Sequence, residues 1–449
     1  MIKKIILLIV LLTSIFSFSQ EKFTLSGTIA DLKTKETLIG VNVFILETKT
    51  GITTNEYGFY SITLPKGEYT ISISYVGYQV IEEKISLNSN IKKNILISES
   101  SQLLKEVVIV DNKKRVDIRK PEMSVNKLTI QEIKEMPVIF GEVDIIKSIL
   151  TLPGVTNAGE GQSGFNVRGG GVDQNLVLLD DAPVYNSSHL FGFFSVFNPD
   201  AVKDVKLYKG GIPAQYGGRA SSILDVKMKE GNSKKLEVNG GIGVIFSRFS
   251  IEAPIIKDKA SFIFAARRSY IDILAKPFLT GNNANASFNF YDLTAKVNYN
   301  INAKNTVFLS GYFGRDVFGT SFGFNWGNGT ISSRWNHVFS EKLFMNATAF
   351  YSNYDYLLDS DIENKRPNDS FKWSSNIENL SIKPDFTYYV NPTNTISFGG
   401  QILSYEFKPG KAIATSTGEK REFGQANKKG TESSAYISQE LKISPVFSV

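Results

Sequence analysis

Between Tyr291 and Ile301 residue type alternates at every position. Tyr291, Leu293, Ala295, Val297, Tyr299 and Ile301 share one face of an extended strand, and Asp292, Thr294, Lys296, Asn298 and Asn300 share the other. The pattern returns at Leu380, Ile382, Pro384, Phe386, Tyr388 and Val390, set against Ser381, Lys383, Asp385, Thr387 and Tyr389. After the turn Asn391-Pro392-Thr393-Asn394 it continues through Ile396, Phe398, Gly400 and Ile402. Tight turns such as Asn302-Ala303-Lys304-Asn305 alternate with the longer polar stretches Leu358–Trp373 and Gly410–Gly430, which read as loops. Long two-faced strands with short turns at one end and long loops at the other are the pattern of an antiparallel transmembrane β-barrel. Soluble sandwiches alternate as well, with shorter strands and more even loops. Residues 236–449 are therefore expected to be barrel strands, about nine of them at ~9–11 residues per crossing plus loops.

The N-terminus agrees with such a destination. Met1–Ser19 has a basic start (Lys3, Lys4), an apolar run Ile5–Leu12, and small residues Ser17 and Ser19 before Gln20. That is the layout of an export signal, with an apolar run too short to span as a helix. Residues 1–19 are thus expected to be a signal peptide. The chain has no cysteine, which excludes disulfides, thiolate nucleophiles and a lipidated N-terminal Cys. A net charge of +6 over 449 residues has no basic arm or stripe of the nucleic-acid type. The two histidines, His189 and His337, lack spaced partner ligands, so no metal site is expected. No Ser/His/Asp or paired-carboxylate set points to an enzyme, and no cofactor is implied.

Residues 22–98 read as a small β-sandwich, with strands Phe23–Ile29, Val41–Glu47, Gly58–Thr63, Tyr69–Tyr75 and Ile91–Ile97 between regularly spaced turns. Residues 99–121 form a polar linker interrupted by Glu106, Val107, Val108, Ile109 and Val110. These five fit a last strand of the sandwich and a strand that adds to a partner's sheet equally well. Residues 122–232 mix short elements. Thr129–Met136 reads as a helix, with Thr129 as cap, Glu132 three residues on and Pro137 as stop. Glu142–Leu150 reads as a second helix. Phe165–Gly171 and Asn175–Val184 read as a strand, turn, strand pair. The runs Val202–Tyr208 and Ser221–Met228 flank two glycine turns, Gly210-Gly211 and Gly217-Gly218.

Two resemblances sharpen this reading. LSGTIAD, TLIGVNVFI and TTNEYGFYSITLPKGEYTISISYVGY, in residues 22–98, resemble the carboxypeptidase-regulatory-like domain, a transthyretin-type sandwich without catalytic function. LPGVTNAGEGQSGFNVRGGGVDQNLVLLDDAPVYN and FNPDAVKDVKLYKGGIPAQYGGRASSILDVKMKEG resemble the plug of TonB-dependent outer-membrane receptors of the Bacteroidetes type. Arg168, Gly169, Gly170, Asp180, Lys209, Gly210, Tyr216 and Gly217 fall on the plug's recurring positions. That family usually has one acidic residue followed by Gly where Asp180-Asp181-Ala182 stand. The glycan-importing branch carries a YVIDG-type run that is missing here.

The resemblance implies a mainly β fold: a sandwich, a mixed α/β plug, then antiparallel barrel strands. It implies residence in the outer membrane of a Gram-negative bacterium, in contact with lipid. It implies active import of a scarce, large ligand (siderophore, cofactor, peptide or oligosaccharide). A non-transporting adhesin or signalling receptor is the alternative. Glu106–Val110 would be the TonB-binding box. Arg168, Lys209 and Arg219 are candidates for salt bridges from plug to barrel. Tyr185, His189, Phe191 and Phe193 would be ligand-facing plug tips. TonB, an extracellular ligand and, as an open option, a surface lipoprotein are the expected partners. A plug of about a hundred residues cannot sit inside a barrel of ~9 strands. The chain is therefore expected to be a C-terminally truncated part of a protein with ~22 strands.

Overall fold

A computed structural model describes residues 21–100, 124–136, 143–159, 163–280, 286–319, 323–360, 370–416, 419–444 and 447–448. The signal-like segment 1–19 and the Glu106–Val110 segment lie outside the described residues.

The N-terminal unit is a sandwich of two sheets. In one, Lys22–Asp31 pairs antiparallel with Phe59–Pro65 and parallel with Ile91–Lys92 and Ile95–Ile97. In the other, the order is Thr50–Thr53, Asn42–Ile45, Gly67–Ser74, Ile81–Leu87. Leu25, Ile29, Val43, Ile45, Tyr60, Ile62, Ile71, Ile73 and Leu87 fill the space between them. Ile71 and Ile73 point inward because they alternate with Thr70, Ser72 and Ser74 on a strand buried on one face. Two strands went unread in the sequence, Thr50–Thr53 and Ile81–Leu87. The second runs Ile-Glu-Glu-Lys-Ile-Ser-Leu, and its charged centre masks the alternation.

The plug is built on a five-stranded sheet ordered Ala182–Pro183, Asn175–Leu179, Ser222–Met228, Val202–Tyr208, Val125–Thr129. The helix Ile130–Glu135 starts where expected: Glu132 N donates to Thr129 Oγ1 at 3.3 Å, and Thr129 N donates to Glu132 Oε2 at 2.8 Å. Such a reciprocal cap contributes about 1 kcal/mol. The second helix is shorter than expected, Ile145–Ile149, with Asp144 accepting from Lys147 N at 2.8 Å. Phe165–Val167 and Asn175–Leu179 do not pair with each other, contrary to the sequence expectation. Phe165–Val167 joins Val155–Asn157, while Asn175–Leu179 lies parallel to Ser222–Met228. The short helical turn Val172–Gln174 separates the two runs, so no tight hairpin forms between them.

From Glu237 onward one antiparallel sheet runs strand to neighbouring strand, from Glu237–Ile242 to Phe447–Ser448. It contains twelve strands among the described residues. The excess over the expected ~9 crossings comes from short pieces: Glu237–Ile242, Glu419–Gly424 and Phe447–Ser448. Gly410–Gly430, expected as a loop, is largely strand. Asn394–Ser416 runs through Gly410, and Lys411–Ser416 pairs with Glu419–Gly424. Ser370–Asn391 and Asn394–Ser416, of 22 and 23 residues, each reach roughly 70 Å at ~3.3 Å per residue. A bilayer core of ~30 Å cannot cover them, so these strands project well past the membrane.

Burial along these strands is the reverse of a soluble sheet. Asp292, Thr294, Lys296 and Asn298 are buried, whereas Leu293 and Val297 between them are exposed at 41% and 38%. The same inversion holds at Ser310, Ser332, Arg334, Thr348, Ser352 and Ser381 against Leu309, Ile331, Tyr351, Leu380 and Ile382. The polar face covers the plug and the apolar face looks outward, which is stable only where lipid, not water, meets the outside. No helix among the described residues is long and apolar enough to cross a membrane. The strands are the crossing elements.

Candidate functional site

The strand Asn175–Leu179 ends in a turn that places Asp180 and Asp181 at φ 46° and 72°. Left-handed backbone is tolerated by Asp because its short polar side chain bonds locally. Asp180 uses one oxygen to accept Met228 N at 3.0 Å and faces Lys296 of the barrel wall at 2.9 Å with the other. Lys296 also donates to Met228 O at 3.0 Å. Asp181 meets Lys227 of the neighbouring plug strand at 2.6 Å and Arg334 of the wall at 2.5 Å, and accepts from Thr348 Oγ1 at 3.2 Å. This single turn therefore fastens the plug sheet to three strands of the wall, Ser287–Asn302, Gly323–Val338 and Leu343–Asp359.

Lys227 is shared further, with Asp225 at 3.3 Å and with Glu56 of the N-terminal sandwich at 3.8 Å. Lys206 contacts Glu56 at 2.9 Å, and Tyr216 donates its hydroxyl to Asp225 at 3.0 Å. Burial would raise the Glu56 carboxyl, but Lys206 and Lys227 outweigh it and hold the group at about 2. Burial also works against Asp181, and Lys227 and Arg334 bring it well below the usual carboxylate range. Asp225 goes the other way: burial, only partly offset by Lys227, pushes it up to about 6.

A second joint lies towards the other end of the lumen. His189 is 1% exposed and stacks on Phe290, with ring centroids 4.4 Å apart. Its Nδ1 lies 2.7 Å from Asp316 and its Nε2 3.3 Å from Asp292, both on the wall. Burial lowers its basicity, yet Asp316 and Asp292 more than compensate, so the imidazole titrates above its usual range. Leu190 N donates to the second Asp316 oxygen at 2.7 Å. Arg267 binds Asp292 at 2.8 Å and Ser195 O at 2.6 Å. Leu190 and Phe191 stand at φ 47° and 56°, unusual for bulky residues, and the Asp316 clamp holds this turn in place. Arg248 pairs with Asp200, and Lys229 with Glu252 at 3.4 Å.

The expected site residues divide accordingly. His189 does not face a ligand: two wall carboxylates draw it inward and bury it. Phe191 and Phe193 are exposed at 38% and 55% on the turn above it. Tyr185 is half-buried, and its hydroxyl accepts from Asn379 of the wall. None of Arg168, Lys209 and Arg219 pairs with a wall carboxylate among the described residues. Arg168 donates to Ser124 Oγ at 2.8 Å, Lys209 to Pro153 O at 2.8 Å, and Arg219 to Gly218 O at 2.8 Å. A Cβ at Gly210 would lie 2.7 Å from Arg168 Nη1, the far end of a flexible side chain that could shift aside. Gly169, Gly170 and Gly217 shape the turns near these cations. Asp180 and Tyr216 belong to the buried charge cluster.

Lys296, Arg334, Asp292, Asp316, Arg267 and Glu56 went unrecognised in the sequence. A usable signal was present for Asp292 and Lys296. Each stands on the polar face of an alternating strand, where a charge enclosed by a barrel needs an opposite charge.

A charged globule fastened to the polar face of an inverted antiparallel sheet, whose first and last strands do not pair among the described residues, is the arrangement of a plug with part of a transmembrane β-barrel wall. Residues 25–109 match the family described as CarboxypepD_reg-like domain, and residues 117–222 match the TonB-dependent Receptor Plug Domain. Over 258 residues, 54% of the chain, it is 25% identical to TonB-dependent receptor SusC of Bacteroides thetaiotaomicron, covering 25% of that protein. Its fold is shared with the siderophore receptor PirA from Acinetobacter baumannii at TM-score 0.51 and 16% identity, covering 72% of this chain and 55% of that one. It is shared also with the copper transporter OprC at TM-score 0.55 and 12% identity, covering 73% and 53% of the two chains. This chain belongs to the TonB-dependent receptors, with a CarboxypepD_reg-like domain ahead of the plug. It spans about a quarter of the length of the curated relatives it matches.

Proposed function

We propose that this protein works in the outer membrane as an active importer of a scarce ligand too large for porins, driven from the periplasm through TonB. The observation that carries the reading is the charged part of the plug's contact with the wall, which stands beside an aromatic patch of Phe194 on Phe246 and Phe290. Asp180–Lys296, Asp181–Arg334 and His189 with Asp292 and Asp316 are polar on both sides. Surfaces of this kind accept water when they part, whereas separating an apolar core would expose grease. A plug so held is stable at rest and displaceable under load.

In this proposal the ligand docks at the face carrying Phe191, Phe193 and Tyr185, framed by the projecting hairpins. Siderophore, cofactor, peptide and oligosaccharide remain the candidate classes. The outer membrane has no ATP, so work arrives as a pull. Glu106–Val110 would add as a strand to TonB, with main-chain hydrogen bonds carrying the load. Arg168, Gly169, Gly170, Lys209, Gly210, Gly217 and Arg219 would keep the plug's own loops in shape while it moves. Deleting Glu106–Val110 in the full-length protein should leave surface binding of ligand intact and abolish proton-motive-force-dependent uptake. Unchanged uptake would remove that segment from the mechanism.

A further inference from the structure

The N-terminal sandwich touches both the plug and the barrel wall. At the end of the sheet that carries the tight turns, Tyr57 and Phe59 stack on Phe344 of the wall, with centroids 5.6 and 5.3 Å apart. Phe59 also packs on Tyr389 at 5.8 Å, and the Arg334 guanidinium lies 5.3 Å from the Tyr57 ring centre. Lys92 donates to Ala303 O in one of those turns. By the barrel pattern this end is periplasmic.

A second set of contacts grips the segment joining plug to wall. Thr37 Oγ1 donates to Glu230 at 2.7 Å, and Glu230 N donates to Glu36 at 2.9 Å. Lys203 of the plug lies between Glu36 at 3.3 Å and Glu230 at 3.2 Å. Ser233 N donates to Thr34 O at 3.0 Å. Gly231 is pinned where a Cβ would come 2.4 Å from Phe262 O.

Glu56 joins the two sets. It sits in the turn beside Tyr57, and its carboxylate reaches Lys206 and Lys227, which lie on the two central plug strands with side chains only 5% and 6% exposed. Through Lys227 it is linked to Asp181, and through Asp181 to Arg334 of the wall. Moving the plug separates both lysines from Glu56. Withdrawing the sandwich strands the same lysines and exposes Tyr57, Phe59, Phe344 and Tyr389. Neither motion is free of the other.

We propose that the N-terminal sandwich is an autoinhibitory clasp: docked at the periplasmic mouth through Glu56, Tyr57 and Phe59, it holds the plug closed and must leave before the plug can move. The clasp rests on the import reading in that it presupposes a plug that moves. Its test needs neither TonB nor ligand, so its failure is distinguishable from failure of the import reading.

The probe is KCl conductance of the full-length protein in planar bilayers under a urea ramp, on material that shows heat-modifiable mobility. Glu56→Gln keeps shape and removes the charge. It should open at lower urea, with openings at least about tenfold more frequent than wild type at matched urea, the loss of a buried charge partner being discounted because the Glu56 side chain is 22% exposed. The second variant leaves Glu56 untouched. Residues 1–449 contain no cysteine, so with any cysteine further along the full-length protein replaced by Ser, Thr34→Cys with Ser233→Cys supplies the tether between sandwich and plug–wall segment. Oxidised, it should suppress urea-induced openings, and reduction should restore them. Wild-type conductance in Glu56→Gln, or openings indifferent to the oxidised tether, would overturn the proposal.

Discussion

Replacing Lys296 with Met tests the claim that buried charge, not apolar packing, fastens the plug. Met fills nearly the same volume and removes the ammonium. Asp180, 2% exposed, then keeps Met228 N at 3.0 Å but loses its wall partner at 2.9 Å. Removing one member of a buried pair costs about 3–5 kcal/mol. The lower end applies here. Asp180 retains that backbone donor, and Arg334 and Lys227, which with Lys296 outweigh its burial and hold the carboxyl below its ordinary range, remain nearby. Met228 O loses its bond from Lys296 as well. About 3 kcal/mol corresponds to roughly a hundredfold shift in a local opening equilibrium. Hydrogen exchange in detergent-solubilised full-length protein reads this directly at the amides of Asp180 and Met228, bonded to Val226 O and to Asp180. Both should exchange about a hundredfold faster. Adding Asp180→Asn to Lys296→Met should recover most of the protection, since no charge is then left without a partner. Exchange within about threefold of wild type in the single variant would mean that apolar contacts such as Tyr312 against the plug core hold the joint, and the charge reasoning would be wrong.

His189 titrates above 6.5 because Asp316 and Asp292 outweigh its burial, with Arg267 bonded to Asp292 on the far side. A raised imidazole contributes its full stabilisation below about 6.5 and loses it as pH climbs through the folded value. Exchange at Leu190 N should therefore accelerate, beyond its intrinsic pH dependence, as pH rises through that window, and His189→Gln should flatten the excess. On the outer face, Ile382 is 63% exposed and flanked by Leu380 at 58%. Ile382→Arg there should cost about 2–4 kcal/mol near the bilayer midplane and reduce the heat-modifiable folded fraction. The same change at buried Ser381 should perturb the lumen instead, with different dependence on lipid.

The barrel strands were legible because a strand's side chains alternate regardless of what lies on either side. Asp292 and Lys296 could be assigned to one face from sequence, and that face was correctly distinguished from Leu293 and Val297. Sequence could not say what each charge meets, because Asp180 and Lys296 are brought together across more than a hundred residues by the wrapping of the sheet. The same limit explains the errors. Arg168, Lys209 and Arg219 looked like natural bridges to the wall, but their own loops turn them to Ser124, Pro153 and Gly218. His189 sat in an aromatic run that reads as exposed, until Asp292 and Asp316 drew it inward.

Local chemistry settled several features that act within one element: the Thr129–Glu132 cap, the two-faced strands and the inward isoleucines of the sandwich. Which charges pair, and that the sandwich packs on both plug and wall, were decided by the tertiary structure alone. The reason is physical. Alternation and capping are short-range steric and hydrogen-bonding properties of the chain, whereas a buried ion pair exists only once folding brings its two members together out of water.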